Sequence, residues 1–365
     1  MTITVAFRTD ASFTIGSGHV FRCLTLADAL KSKGSNCHFL CREYPGHLLD
    51  VIRHRGHAAT VISAGVADLS ASDHTFPNAL DYAWETDARQ SREVMEKLRP
   101  DWLVVDHYGI DERWEAALHM NDCKIMVIDD LADRKHFCHL LLDQNLGRSA
   151  EDYRPLVAKQ CTVLTGPHFA IIRSEFSKLR AWSLLRRQQS QQIGRLLISL
   201  GGVDAPNATC EVLQVLKACS LPAECGITVV MGLKAQWINQ VRELATDMPW
   251  PTEVLVNVED MAVRMGSSDL AIGAAGSTSW ERCCMGLPTM LIVLAHNQEP
   301  GANALEAAGA AHLIGWVSDL GAKLPLVLNK LMSPGALSGM SKKASGTTDG
   351  RGTQRVLDAM GLKNV

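Results

Sequence analysis

The chain has 365 residues, 47% of them hydrophobic, which is core-forming material for about two domains. Its 36 Lys and Arg against 39 Asp and Glu give a formal net charge of −3 with no basic run, which speaks against general nucleic-acid or bilayer binding. No apolar run reaches the roughly 18 to 20 residues that cross a membrane.

In chain order, Ile3, Val5, Ala6 and Phe7 form a short apolar run suited to a buried parallel strand, ended by Arg8-Thr9-Asp10. Gly16-Ser17-Gly18 interrupts regular structure. Val20, Cys23, Leu24, Ala27 and Leu30 then recur at helical spacing, up to a basic last turn at Lys31 and Lys33 and a stop at Gly34. His19 therefore falls at or beside a helix N-terminus, where free N–H groups and the positive dipole end favour a phosphate and disfavour an imidazolium. Two readings stand: a neutral proton acceptor beside an anion site, or a structural helix-start histidine. The spacing is neither a dinucleotide fingerprint nor a P-loop. The N-terminus enters a strand at once, with no basic, apolar leader, and the 11 cysteines lack paired CxxC spacing; a cytoplasmic protein with reduced thiols is expected.

Further strands are expected at 102–105, 125–128 and 140–142. After the first of these come Asp106, His107 and Tyr108; His107 is either a rival base or a buried hydrogen-bond partner of Asp106. His136, Cys138 and His139, like Cys283 and Cys284, lack zinc-site spacing with a second half nearby, and read as core or incidental residues. Arg173, in TGPHFAIIRSEF, suits a phosphate or sugar contact. The basic, glutamine-rich stretch 177–192 is the expected seam between two halves.

The second half opens like the first: a strand at 196–200, then Gly201-Gly202, either an amide cradle for a second face of the same anion or a tight strand-to-helix turn. Strands follow at 227–231, 270–272 and 290–294. After the middle one, the small residues Gly273 to Gly276 and Ser277 leave room for a ligand, and Glu281 lies about one helical turn beyond Ser277. Glu281 reads as acceptor for a ribose diol or as a first-turn glutamate favoured by the helix dipole. The polar residues 296–299, including Asn297 and Gln298, sit at a strand's carboxyl end, where open parallel sheets bind ligands. Residues 333–350 read as a loop and 352–360 as a helix. Strands alternating with helices make the chain α/β with parallel sheets.

Taken together, FRTDASFTIGSGHVFRCLTLA, VVDHYGI, GPHFAIIRSEF, SLGGVDAPN and AHNQ resemble the UDP-sugar hydrolases of pseudaminic acid biosynthesis, which act on UDP-2,4-diacetamido-2,4,6-trideoxy-β-L-altropyranose. The likeness runs in matching order from residue 3 to about residue 316, more weakly through 64–99. That family is similar to GT-B glycosyltransferases. The resemblance implies two Rossmann-like domains with parallel sheets facing across a cleft: residues 1–185, residues 186–350, and a helix at 351–365 returning to the first. It implies a UDP-sugar as small-molecule substrate and no cofactor; no Asp-x-Asp motif or metal-ligand set stands out, so no metal is expected, the charge balance leaves no nucleic acid or membrane partner expected, and a monomer is expected of a cleft enzyme. His19 is implied as general base for inverting, metal-independent attack of water at the anomeric carbon. Gly16, Gly18, Arg22, Tyr108, Arg173, Gly201, Gly202, Met261, Ser277, Glu281, Asn297 and Gln298 are the implied substrate-binding positions, with Glu281 at the ribose and Met261 near the uracil. Loops such as 63–74 are expected to read the sugar's substituents. A glycosyltransferase, or a non-catalytic nucleotide-sugar-binding module, would share most of these features.

Overall fold

The computed structural model describes residues 2–63, 84–189 and 192–362. The chain forms two compact units, one from Met1–Ile171 with Thr353–Val365, the other from Ile172–Gly352. In the first, β1 (Thr4–Thr9), β2 (Asn36–Arg42), β3 (Ala58–Ile62), β4 (Trp102–Asp106), β5 (Lys124–Ile128), β6 (Leu140–Asp143) and β7 (Thr162–Thr165) make a sheet in the order β3-β2-β1-β4-β5-β6-β7. Every pairing is parallel, with Phe7 level with both Phe39 and Val104. Val5 and Phe7 pack on one face with Leu24, Leu26 and Leu30 of the helix Gly18–Ser32, while Ala6 packs on the other with Leu103, Met95 and Trp114. Burial on both faces is why β1 reads as a continuous apolar run rather than an alternating one.

The second unit repeats the design. Its strands β8 (Arg195–Ser199), β9 (Gly226–Met231), β10 (Thr252–Val256), β11 (Leu270–Ala274), β12 (Thr289–Val293) and β13 (His312–Trp316) are all parallel, in the order β10-β9-β8-β11-β12-β13. In both sheets the strand order reverses beside the first strand, between β1 and β4 and between β8 and β11. Beyond the carboxyl ends of strands at such a switch point the flanking loops diverge and leave a crevice for a ligand.

Several expectations are corrected. The seam placed within 177–192, with its boundary at 185, falls instead at Ile171/Ile172, and Ser174–Gln189 is one helix of the second unit. Residues 333–350, expected as a loop, contain the helix Ala336–Thr347. Its buried residues Leu337, Met340, Ser341 and Ala344 recur at helical spacing, and packing of that stripe outweighs the low propensity of Gly339 and Gly346 in the same helix. The helix Gly352–Ala359 sends Val356 and Leu357 into the same core as Val5 and Phe7, and Arg355 donates to the His168 carbonyl at 2.9 Å. The strands β2, β3, β7, β10 and β13 escaped the sequence reading because polar residues interrupt them, as in Asn36–Arg42 (NCHFLCR) and Thr252–Val256 (TEVLV). Among the described residues no helix is long and apolar enough to cross a membrane.

Candidate functional site

In the first unit the carboxyl edge of the sheet gathers ionisable groups from four strands. The loop after β1 delivers His19, β4 ends in Asp106, Asp129 and Asp130 follow β5, and β6 ends in Asp143. His19 lies in the first turn of Gly18–Ser32, whose N-cap, Ser17, makes no side-chain cap bond. Gly16 takes φ +80°, a left-handed turn that a side chain would strain, and a Cβ at Gly16 or Gly18 would meet nothing within 4 Å.

The His19 Nδ1 is 2.6 Å from Asp106 Oδ1. An ionised carboxylate there accepts a hydrogen bond from Nδ1–H, which leaves the Nε2 lone pair as the ring's proton acceptor. Arg22, one turn along the same helix, donates from Nε to Asp106 Oδ2 at 2.9 Å and from Nη2 to Asp106 Oδ1 at 2.8 Å. Its outer edge reaches Asp130 at 3.0 and 2.9 Å. Burial by itself would raise the Asp106 carboxyl, but Arg22 and His19 hold it well below the usual carboxylate range; Arg22 likewise keeps Asp130 low. Tyr108 stands edge-on to His19, ring centroids 4.4 Å apart, and donates to Asp130 at 3.1 Å; the Asn145 amide also reaches Asp130, at 3.3 Å. Arg22 thus holds two carboxylates in place, and His19 is held between Asp106 and the Tyr108 ring.

His107 does not pair with Asp106. Its Nε2 lies 3.2 Å from Asp10, its Nδ1 accepts from the Gly109 amide, and burial lowers its pKa despite Asp10. Residues alternate across a strand and the turn after it, so neighbours in sequence face different partners. Asp10 in turn is bound by Arg8 at 2.8 Å, which makes the His107 neighbourhood a second, closed ionic cluster. Deeper at the same edge, the Tyr153 hydroxyl sits between Asp143 at 2.8 Å and Asp129 at 3.0 Å. Burial and the Asp130 charge push the Asp143 carboxyl up to about 7. His136 pairs with Glu115 at 2.7 Å and Cys138 lies 3.5 Å from Cys161, so these two side chains engage different partners.

The second unit also brings its sequence-singled residues to the carboxyl edge of its sheet. Gly201 and Gly202 follow β8, Met261 opens the helix Met261–Ser267 after β10, Ser277 precedes the helix Thr278–Cys284 after β11, and Asn297 and Gln298 follow β12. Local packing fills part of this edge. The helix Ala208–Lys217 behind the glycine turn has its first amides taken: Asp204 accepts from Ala208 at 2.8 Å and Thr209 at 3.0 Å. A Cβ on Gly232 would collide with the Gly202 carbonyl, so Gly202 packs against the loop after β9. The space beside Gly273 is filled by Arg282, whose guanidinium donates to the Ala274 carbonyl at 2.7 Å and to Ser279 and Thr278; burial lowers its pKa to about 10. Gly276 keeps open space, the nearest atom to an added Cβ being the Gln298 amide at 3.9 Å, while the other end of that amide accepts from Leu294 at 3.0 Å.

Arg173 belongs to this unit and pairs with Glu281, Nε to Oε1 at 3.0 Å, with Glu175 at 3.3 Å from its other nitrogen. Glu281 is pushed up by burial and drawn back by Arg173. Of the loop 63–74, residues 64–74 lie outside the described residues.

Residues 212–356 match the description "Glycosyltransferase family 28 C-terminal domain". Over its whole length the chain superposes on MurG of Acinetobacter baumannii with a TM-score of 0.72 at 19% identity, covering 99% of both chains. The fold is GT-B-like. The calicheamicin glycosyltransferase CalG4 also superposes, with a TM-score of 0.59 at 13% identity over 99% of this chain and 98% of the other. In sequence the chain is 25% identical over 306 residues to the UDP-2,4-diacetamido-2,4,6-trideoxy-beta-L-altropyranose hydrolase of Campylobacter jejuni, spanning 84% of this chain and 97% of that protein. It is 23% identical over 356 residues to the spore coat polysaccharide biosynthesis protein SpsG of Bacillus subtilis, 95% and 94% of the two chains. The uncharacterized protein MJ1062 of Methanocaldococcus jannaschii is 24% identical over 292 residues; the match spans 79% of this chain but 55% of that protein.

Asp106 and Asp130 meet His19 and Arg22 at this edge, although in the sequence Asp106 reads only as a partner of His107 and Asp130, like Asn145, Asp204 and Arg282, carries no reading. A signal was present for the first two: VVD, IDD and LLLD each place aspartate where an apolar strand ends, and the topology lines those ends up along one edge.

Proposed function

We propose that this protein hydrolyses UDP-2,4-diacetamido-2,4,6-trideoxy-β-L-altropyranose to UDP and the free sugar, with His19 as general base. The observation that carries the reading is the 2.6 Å contact of His19 Nδ1 with a buried, ionised Asp106, which presets Nε2 as a proton acceptor. Similarity to the Campylobacter hydrolase across nearly its full length supports the choice of substrate.

In this reaction the water oxygen bonds to the anomeric carbon as the bond from that carbon to the β-phosphate oxygen breaks. The bonding pair leaves with UDP, and the water proton passes to His19 Nε2. The resulting imidazolium is held against Asp106, so its charge is neutralised where it forms. UDP departs as a stable anion, which removes the need for a protein acid. The nucleotide is assigned to the second unit, with Glu281 at the ribose, Met261 near the uracil, and Gly201, Gly202 and Ser277 near the phosphates. Gly16, Gly18 and Tyr108 would line the approach to His19, and Asn297 and Gln298 the sugar.

A second reading, transfer of the sugar to an acceptor other than water, is favoured by the match of residues 212–356 to a glycosyltransferase domain. Incubation with the donor in ¹⁸O-water separates the two. Complete consumption of donor without an acceptor, with label in the sugar, supports hydrolysis at carbon. Stalled turnover that an acceptor releases supports transfer, and label in UDP overturns attack at carbon.

A further inference from the structure

We propose that Arg173 is a positioning residue for ribose recognition: it holds the Glu281 carboxylate by one oxygen and leaves the other to accept from the ribose hydroxyls of a bound uridine nucleotide. This assignment rests on the reading of Glu281 as the ribose carboxylate. It replaces a direct phosphate contact by Arg173, the role its sequence position suits.

The geometry carries it. Glu281 sits near the start of the helix Thr278–Cys284, after β11 at the switch point of the second sheet. Its Oε1 is engaged by Arg173 Nε at 3.0 Å, and Oε2 makes no hydrogen bond among the described residues. Arg173 in turn is fixed from two further directions. Its Nη1 lies 3.3 Å from Glu175, and its guanidinium carbon stands 4.9 Å from the centre of the Phe176 ring, a fully buried side chain. A guanidinium held by two carboxylates and a ring face is poorly placed to swing onto a phosphate, and well placed to orient one of those carboxylates. Burial pushes the Glu281 carboxyl upward and Arg173 opposes the shift, so the arginine also favours the charged, stronger acceptor.

The test is calorimetric titration of the full chain with UDP and with 2′,3′-dideoxy-UDP. A charge-assisted pair of hydroxyl contacts makes the wild-type protein prefer UDP by roughly 10- to 100-fold. Arg173→Ala is expected to weaken UDP about tenfold or more while changing dideoxy-UDP by less than about threefold, so that the preference collapses. Arg173→Lys should restore part of it, and in a Glu281→Gln background Arg173→Ala should have no further effect on the preference. Unchanged thermal melting of the variants guards against a folding defect, and the lysine variant carries the test if the alanine one melts early. Equal weakening of both nucleotides by Arg173→Ala would identify a phosphate contact and overturn the inference, as would an undiminished preference. If instead the wild type shows no preference, or Glu281→Gln keeps it, the ribose reading of Glu281 has failed and the inference falls with it.

Discussion

The two sheets share an order of strands and a place for their loops, yet their carboxyl edges are built from different materials. The first unit concentrates charge: His19, Asp106, Arg22 and Asp130 are linked by hydrogen bonds of 2.6 to 3.0 Å, and every ionised group has its opposite in contact. The second unit uses glycine and other small residues around a few polar contacts such as Arg173–Glu281 and Asp204 on its helix end. A group that must exchange a proton in a fixed direction needs its tautomer and orientation imposed by neighbours. A surface that accepts a flat base and a diphosphate needs backbone access. On the proposed function the same scaffold would serve two kinds of chemistry, distinguished by what stands at its strand ends.

If that division is right, damage to the first edge should affect turnover and spare nucleotide binding. His19→Asn is expected to lower kcat by about 10³-fold with UDP affinity unchanged, measured by UDP release and calorimetry. Asp106→Asn should cost about 10²-fold, because the ring remains but its tautomer and orientation are no longer imposed. A large loss of UDP affinity in either variant would break the comparison.

The second edge should respond in stability. Gly273→Ala forces a methyl into the Arg282 guanidinium and should destabilise the protein by about 1 to 3 kcal/mol in urea unfolding. Asp204→Ala strips the cap from Ala208 and Thr209 and should cost about 1 kcal/mol, read from the same curves. A pH-dependent effect sharpens the contrast from the first unit. The Asp143 carboxyl stands at about 7 in the folded chain against 3.8 as its ordinary value, so the native state binds the extra proton between those limits. Its contribution is fully present below about pH 4 and is lost as pH rises through about 7. Asp143→Asn should therefore flatten the decline of stability across that window, and an unchanged slope in urea titrations at pH 4 to 8 would assign the proton elsewhere.

How much of this was legible in advance varies by residue. The strand before Gly16, the helix carrying His19 and the glycine turn after β8 were readable, because each depends on a few consecutive residues with a strong local preference. The partner of His19 was not, because Asp106 lies 87 residues away and its choice between His19 and His107 is made by the pairing of β1 beside β4. The true end of the first unit was hidden for a related reason. The polar stretch 177–192 resembles a linker in composition, but the helix Ser174–Gln189 is held in the second unit through a few buried positions, Phe176, Ser183 and Arg187.

Sequence by itself determined the strongly apolar strands such as Thr4–Thr9 and the helix that carries His19, since apolar runs, glycine breaks and helical spacing act over one or two turns of chain. Only the tertiary structure decided which polar residues meet. Parallel pairing aligns the ends of strands far apart in sequence, and burial then makes each charge depend on the partner it finds there, as Asp106 finds His19 and Arg22, and Glu281 finds Arg173.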